Sequence, residues 1–177
     1  AAMLAAYPEL SCDPSKTYKV GEKWGVYDDF LCPTEETFKV LYDILNEVMD
    51  MFPSKYIHIG GDECNKASWK RSQFRRDLIA SQKLMNEEGL QSYFIAKIAK
   101  HVQNQGRQVI GWDEILEGGL AQGAVVMSWR GDKGGIAASQ LGHDVIMTPG
   151  SGGLYFDHVQ SKSPQEPLSI GGFAPLE

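Results

Sequence analysis

From Phe38 onward, apolar residues recur at steps of three and four through Leu41, Tyr42, Leu45, Val48, Met49 and Phe52. That spacing predicts a helix with one buried stripe. Pro33 precedes it, Thr34 fits an N-cap, Glu35 and Glu36 face the positive end of the helix dipole, and Pro53 ends it. Two further helical stretches are expected, Asn65 to Met85 with Trp69, Phe74, Leu78 and Ile79 apolar, and Leu90 to Gly106 with Tyr93, Phe94, Ile98 and Val102 on one face. A short fourth helix is expected from Gly135 to Leu141. Between them lie runs with the other signature, apolar through several consecutive positions: Tyr56–Ile59, Gln108–Trp112, Ala124–Trp129 and Asp144–Thr148. Short apolar strands alternating with helices predict a parallel α/β sheet covered on both faces. Residues 1–32 read as a long irregular loop, broken by Pro8, Pro14 and Gly21 and carrying Trp24, Tyr27 and Phe30.

Composition narrows the class. The 177 residues suit one domain, and the apolar and charged fractions of 42% and 23% are those of a globular chain. A net charge of −6 with scattered Lys and Arg disfavours nucleic acid as a partner, and the run Lys70-Arg71 to Arg75-Arg76 reads as a solvated helix face. No stretch of about 20 apolar residues suggests a membrane span. Cys12, Cys32 and Cys64 form no CxxC spacing, so no zinc site is indicated; a Cys12–Cys32 bridge is compatible with the sequence, which does not decide it. No GxGxxG or GxxxxGK[ST] follows a strand, which argues against a dinucleotide or phosphate-binding sheet, and no cofactor is expected. Four βα units that begin at Ala1 and stop at Glu177 without a closing element are expected to be an excised part of a (β/α)8 barrel, with 1–177 belonging to one catalytic domain.

The chemistry gathers where the strands end: Asp62 and Glu63, Trp112 and Asp113, Trp129 and Arg130. In parallel α/β folds the carboxyl ends of strands are where sites are built. Neighbouring side chains on a strand face opposite ways, so Asp62 and Glu63 share a pocket only if the chain bends, and Gly60-Gly61 permits that bend. The plain alternative is a solvated acidic turn. Paired carboxylates with tryptophans at successive strand ends suit a carbohydrate, whose ring stacks on indole and whose hydroxyls meet polar groups. Two rivals stand beside this. One is a metal-dependent hydrolase using His58, Asp62, Glu63, Asp113 and His143, although no HxH or HExxH spacing supports it. The other is a sugar-binding or structural barrel piece without turnover.

His58-Ile59-Gly60-Gly61-Asp62-Glu63 resembles the signature of glycoside hydrolase family 20, the β-N-acetylhexosaminidases. Ala5-Ala6-Tyr7-Pro8-Glu9-Leu10, Leu31-Cys32-Pro33, Phe52-Pro53, Gly111-Trp112-Asp113-Glu114, Ser128-Trp129-Arg130-Gly131, Gly142-His143-Asp144-Val145-Ile146 and Tyr155-Phe156-Asp157 resemble that family in the same order. The resemblance implies a partial TIM barrel, about strands four to seven. It also implies retaining hydrolysis of terminal β-linked N-acetylglucosamine or N-acetylgalactosamine, with the substrate's own acetamido oxygen as nucleophile. On that basis Glu63 is the general acid and base, and Asp62 holds the acetamido N–H. Trp112 and Trp129 wall the acetamido pocket, Tyr155 bonds its carbonyl, and Asp157 bonds a sugar hydroxyl. His58 and Asp113 are expected to support these groups from behind, and Cys64 to be a small packed residue. No metal is expected at the site. Its enzymes are often secreted, periplasmic or lysosomal, and the sequence does not choose among these or between the two sugars.

Overall fold

The computed structural model describes residues 2–23, 25–150, 159, 161–167, 169 and 172–173. In chain order its helices are α1 Ala2–Ala6, α2 Glu35–Met51, α3 Ala67–Arg71, α4 Gln73–Ser81, α5 Glu87–Asn104 and α6 Asp132–Gln140. The strands are β1 Tyr56–His58, β2 Gln108–Trp112, β3 Val125–Ser128 and β4 Val145–Met147. They form one parallel sheet in the order β1-β2-β3-β4, with His58 opposite Ile110, Trp112 opposite Met127 and Ser128 opposite Met147. Sequential order in a parallel sheet requires a crossover between each pair, and α3 to α5 and α6 supply two of them.

The helices start where their caps dictate. Thr34 Oγ1 accepts the Thr37 amide at 3.1 Å, Ser72 Oγ accepts the Arg75 amide at 3.4 Å, and Asn86 Oδ1 accepts the Gly89 amide at 3.1 Å. Each satisfies an amide that the first helical turn would otherwise leave unpaired. The core forms where α5 lays Ile95, Ala99 and Val102 on Ile57, Val109 and Val126 of the sheet, with Ile115, Met49 and Ala138 closing around them. Each fully buried valine contributes about 1.5–3 kcal/mol by removing its surface from water.

Several expectations need correction. Residues 1–32 are not irregular throughout: α1 and a 3-10 turn over Pro8–Leu10 precede the loop, and Leu4 and Leu10 are buried. The helix expected from Asn65 to Met85 is two helices, because Ser72 leaves helical geometry and caps α4. The next helix begins at Glu87 rather than Leu90, since Asn86 is its cap, and α6 begins at Asp132 rather than Gly135. The α2 stripe is only partly covered. Phe38 is fully buried against Phe94, whereas Phe52 is 58% exposed because it lies past the last turn, where the chain swings toward β1. Among the described residues no helix is long and apolar enough to cross a membrane.

Cys12 and Cys32 are bridged, with their Cα atoms 4.7 Å apart, and the Cys32 amide donates to the Leu10 carbonyl at 2.7 Å. Trp69 of α3, only 3% exposed, donates its indole N–H to the Leu31 carbonyl at 3.0 Å. These contacts pin the end of the long loop beside the sheet, where Phe30 and Leu31 line cavities at its carboxyl edge. The bridge closes a separation of 20 residues, so reducing it should lower the unfolding free energy by about 3 kcal/mol on loop-entropy grounds. Denaturant unfolding with and without reductant measures this, and Cys12→Ser should lose the same amount without reductant.

Candidate active site

The sheet ends in a turn that regular strand geometry does not allow. Beyond β1 the pairing continues, the Ile59 amide donating to Ile110 O and the Trp112 amide to Gly60 O, both at 2.9 Å. The chain then leaves the ladder with φ of +70° at Gly60, +96° at Gly61 and +48° at Glu63. Glycine adopts such angles freely; glutamate does so at a cost of about 1–2 kcal/mol. The turn removes the strand alternation, and Asp62 and Glu63 line one cavity of about 380 Å³. Asp62 is half-buried and Glu63 exposed. The other walls come from the N-terminal segment: Met3, Leu4, Val26, Tyr27, Phe30 and Leu31.

His58 is the last residue of β1, and its Nδ1 accepts the Gly60 amide at 3.1 Å. Because the amide donates, Nδ1 carries no proton and the ring is neutral with its proton on Nε2. Desolvation holds its pKa below the ordinary histidine value, with the Asp62 charge pulling the other way. The imidazole meets Trp112 edge to face at 4.8 Å between centroids, and Trp112 meets Trp129 edge to face at 6.4 Å. Both spacings are those of attractive aromatic pairs. Three aromatic groups from β1, β2 and the end of β3 therefore stand in a row along the carboxyl edge of the sheet.

A charge cluster, buried at Asp113 and Glu114 and partly exposed at Arg130 and Glu117, underlies that row. Trp129 Nε1–H donates to Glu114 Oε2 at 2.9 Å. Arg130 Nε lies 3.0 Å from Asp113 Oδ1 and 3.5 Å from Glu114 Oε1, and its Nη1 lies 3.2 Å from Glu117 Oε1. Asp113 and Glu114 are 2% and 7% exposed. Burial pushes the Glu114 carboxyl above the usual range, opposed by the Trp129 N–H and the Arg130 charge. Asp113 is thus paired within this cluster, together with Glu114 and with Arg130, which the sequence placed only at a strand end. Ser128, fully buried, accepts the Gly135 amide at 2.9 Å and donates to Gly131 O at 2.7 Å, which fixes the chain after Trp129 and Arg130.

Gln91 of α5 was also missed. Its Nε2 donates to the Gly61 carbonyl at 2.9 Å, and it borders two smaller cavities, about 230 Å³ beside Asp62 and about 280 Å³ beside Glu63. Among the described residues its Oε1 is buried without a partner, which costs about 1–3 kcal/mol. The only sequence signal was a polar residue on the inward face of an amphipathic helix. Cys64 is half-buried and its thiol is pushed up to about 11 by burial, consistent with a packed rather than reactive residue. His143 does not join the others: it precedes β4, bonded through Nδ1 to Ala124 O at 2.8 Å, at the opposite edge of the sheet from Asp62 and Glu63. Tyr155 and Asp157 lie outside the described residues.

Comparison with known proteins agrees with this frame. The family described as glycosyl hydrolase family 20, catalytic domain, matches residues 1–177. A β-hexosaminidase of Porphyromonas gingivalis is 52% identical over 177 residues, 99% of this chain and 23% of that protein. Among solved structures, a chitobiase of Flavobacterium johnsoniae superposes with a TM-score of 0.79 at 28% identity, over 99% of this chain and 30% of that one. A β-N-acetylhexosaminidase of Bacteroides fragilis superposes with a TM-score of 0.76 at 30% identity, over 90% and 31%. The chain therefore spans about a quarter to a third of these relatives, and its four parallel βα units are part of a TIM barrel. The chain belongs to glycosyl hydrolase family 20, as part of its catalytic domain.

Proposed function

We propose that this chain carries the acid and the orienting carboxylate of a β-N-acetylhexosaminidase that releases terminal β-linked N-acetylglucosamine or N-acetylgalactosamine. The observation that supports it most is the left-handed turn that brings Asp62 and Glu63 to one cavity at the end of β1. In the proposed reaction Asp62 accepts a hydrogen bond from the acetamido N–H and directs the acetamido carbonyl oxygen at C1. That oxygen attacks C1 while Glu63 gives its proton to the departing glycosidic oxygen, leaving an oxazolinium ion whose charge Asp62 balances. Glu63, now ionised, takes a proton from water as the water attacks C1. The bond between C1 and the acetamido oxygen breaks as the new C1–OH bond forms, so the acetamido group is restored and the two inversions at C1 give net retention.

This division of labour fits what the turn offers. A nucleophile already attached to the substrate needs only orientation, and well-oriented intramolecular groups reach effective molarities of about 10⁵ M or more. Two adjacent carboxylates then suffice, one to orient and one to move the proton, with no third group for covalent attack. Trp112 and Trp129 offer indole faces for the acetamido methyl and sugar ring, and Tyr155 and Asp157 are proposed to bond the acetamido carbonyl and a hydroxyl. The substrate is a carbohydrate and no cofactor takes part. The Cys12–Cys32 bridge favours an oxidising compartment.

Two outcomes test the assignment in the protein that carries this chain. Glu63→Gln should lower kcat by about 10²–10⁴-fold on substrates whose leaving group needs protonation, and far less on dinitrophenyl glycosides, in steady-state assays. Asp62→Ala should remove inhibition by a thiazoline that mimics the oxazolinium ion; inhibition of undiminished strength would sink the orienting role.

A further inference from the structure

We infer that Gln91 is a positioning residue for the Asp62–Glu63 pair, acting through the Gly61 carbonyl. The inference rests on the roles proposed above for those two acids. Gln91 lies in the second turn of α5, 4% exposed, on a helix anchored through Leu90, Ile95, Ile98 and Val102. One half of its amide is used, Nε2 donating to Gly61 O at 2.9 Å, and the other half, Oε1, is buried with no partner among the described residues. A methionine would fill similar space and remove the stranded Oε1 while leaving the Gly61 carbonyl without its donor, two terms that roughly offset, so the glutamine adds little net stability. What it supplies is the donor.

The donor matters because of where it lands. Positive φ at Gly60, Gly61 and Glu63 makes this turn one in which the peptide planes, not a ladder, decide where the two carboxylates go. The Gly60 carbonyl is held by the Trp112 amide of β2. The next carbonyl, Gly61, belongs to the peptide that leads into Asp62, and Gln91 holds it from the helix side. Two successive peptide planes are thus anchored from opposite directions, and the carboxylates follow from the second. The residue after Gln91 does the same for the neighbouring loop: Ser92 Oγ donates to Gly119 O at 2.6 Å, past the 3-10 turn that carries Asp113 and Glu114. One turn of α5 therefore braces the loops that follow both β1 and β2. With Gln91 removed, the Gly61–Asp62 peptide is free to rotate and both carboxylates are displaced with it.

Gln91→Met and Gln91→Glu test this in the protein that carries the chain. For Gln91→Met, kcat on an N-acetylglucosamine disaccharide should fall at least about tenfold, as expected of a misplaced general acid. On the dinitrophenyl glycoside, which leaves without protonation but still needs its acetamido group oriented by Asp62, kcat should fall as well, but by a smaller factor than on the disaccharide. KM on both should stay within about twofold, and the unfolding midpoint within about 2 °C of wild type, because losing the donor also relieves the stranded acceptor. Gln91→Glu can donate to the same carbonyl only when protonated, so its activity relative to wild type should rise as pH falls, and this readout stands even if the Met variant does not fold. Equal losses on both substrates, or a Glu variant as impaired as the Met variant at every pH, would overturn the inference while leaving the proposed function intact. A wild-type protein that cleaves neither substrate would overturn the proposed function itself, and this inference with it.

Discussion

The hydrogen bond from the Trp112 amide to the Gly60 carbonyl is the contact on which the site depends. β1 is only three residues long, and by itself gives its end no fixed direction. Extending its pairing to Gly60 carries the register of β2 to the first residue of the turn, so the aromatic groups of β2 and the carboxylates after β1 are placed by one ladder. That is why His58 meets Trp112 edge to face. Past that bond the chain departs into left-handed geometry, and a non-glycine residue, Glu63, sits there at φ +48°. Backbone strain of this kind persists only where surrounding contacts over-determine it. Here they come from β2, α5 and the disulfide-tied loop.

The second constraint is electrostatic. Asp113, Glu114 and Glu117 surround Arg130. A buried ion pair adds little net stability, since desolvation offsets the attraction, but losing one partner strands the other charge at a large cost. The cluster is better understood as a fixture than as a stabiliser. Arg130 holds Asp113 and Glu114 together, and Glu114 spends its other oxygen on the Trp129 indole. Trp129 is then oriented by a carboxylate that cannot move without unpairing Arg130. The residue that holds the carboxylates and the residues that orient the indole are thus connected to different elements, α5 on one side and the loops after β2 and β3 on the other.

Much of this arrangement was legible in the sequence, for identifiable reasons. Continuous apolar runs located the strands closely, and Gln108–Trp112 is β2 as expected, although only one face of it is fully buried, Val109 and Gly111 pointing into the core while Gln108, Ile110 and Trp112 stay partly exposed. The Gly-Gly-Asp-Glu order announced a bend because only glycine passes freely into such angles. Helix boundaries were less legible where a cap interrupts an apolar pattern, as at Ser72 and Asn86, since periodicity carries no information about a single side chain bonding backward to an amide. The disulfide was undecided because pairing depends on the path of the loop between Cys12 and Cys32. Glu114 was hidden among several acids, and its partner Trp129 comes from another strand.

Gln91 and Trp69 together show what separates a residue that builds this fold from one that shapes its site. Both are buried, and both reach a backbone carbonyl beside the cavities, Leu31 O in one case and Gly61 O in the other. Trp69 has one polar atom and uses it, so burying the rest of the indole is a gain without a remainder. Gln91 has two polar groups and uses one, so its burial leaves its own oxygen unsatisfied in return for holding the Gly61 carbonyl. Stability alone would not select a glutamine at that point of α5. Local cost and local need meet where the chain must also hold an unfavourable turn, and the unpaired oxygen lies one residue's reach from the Gly61 peptide that leads into Asp62 and Glu63.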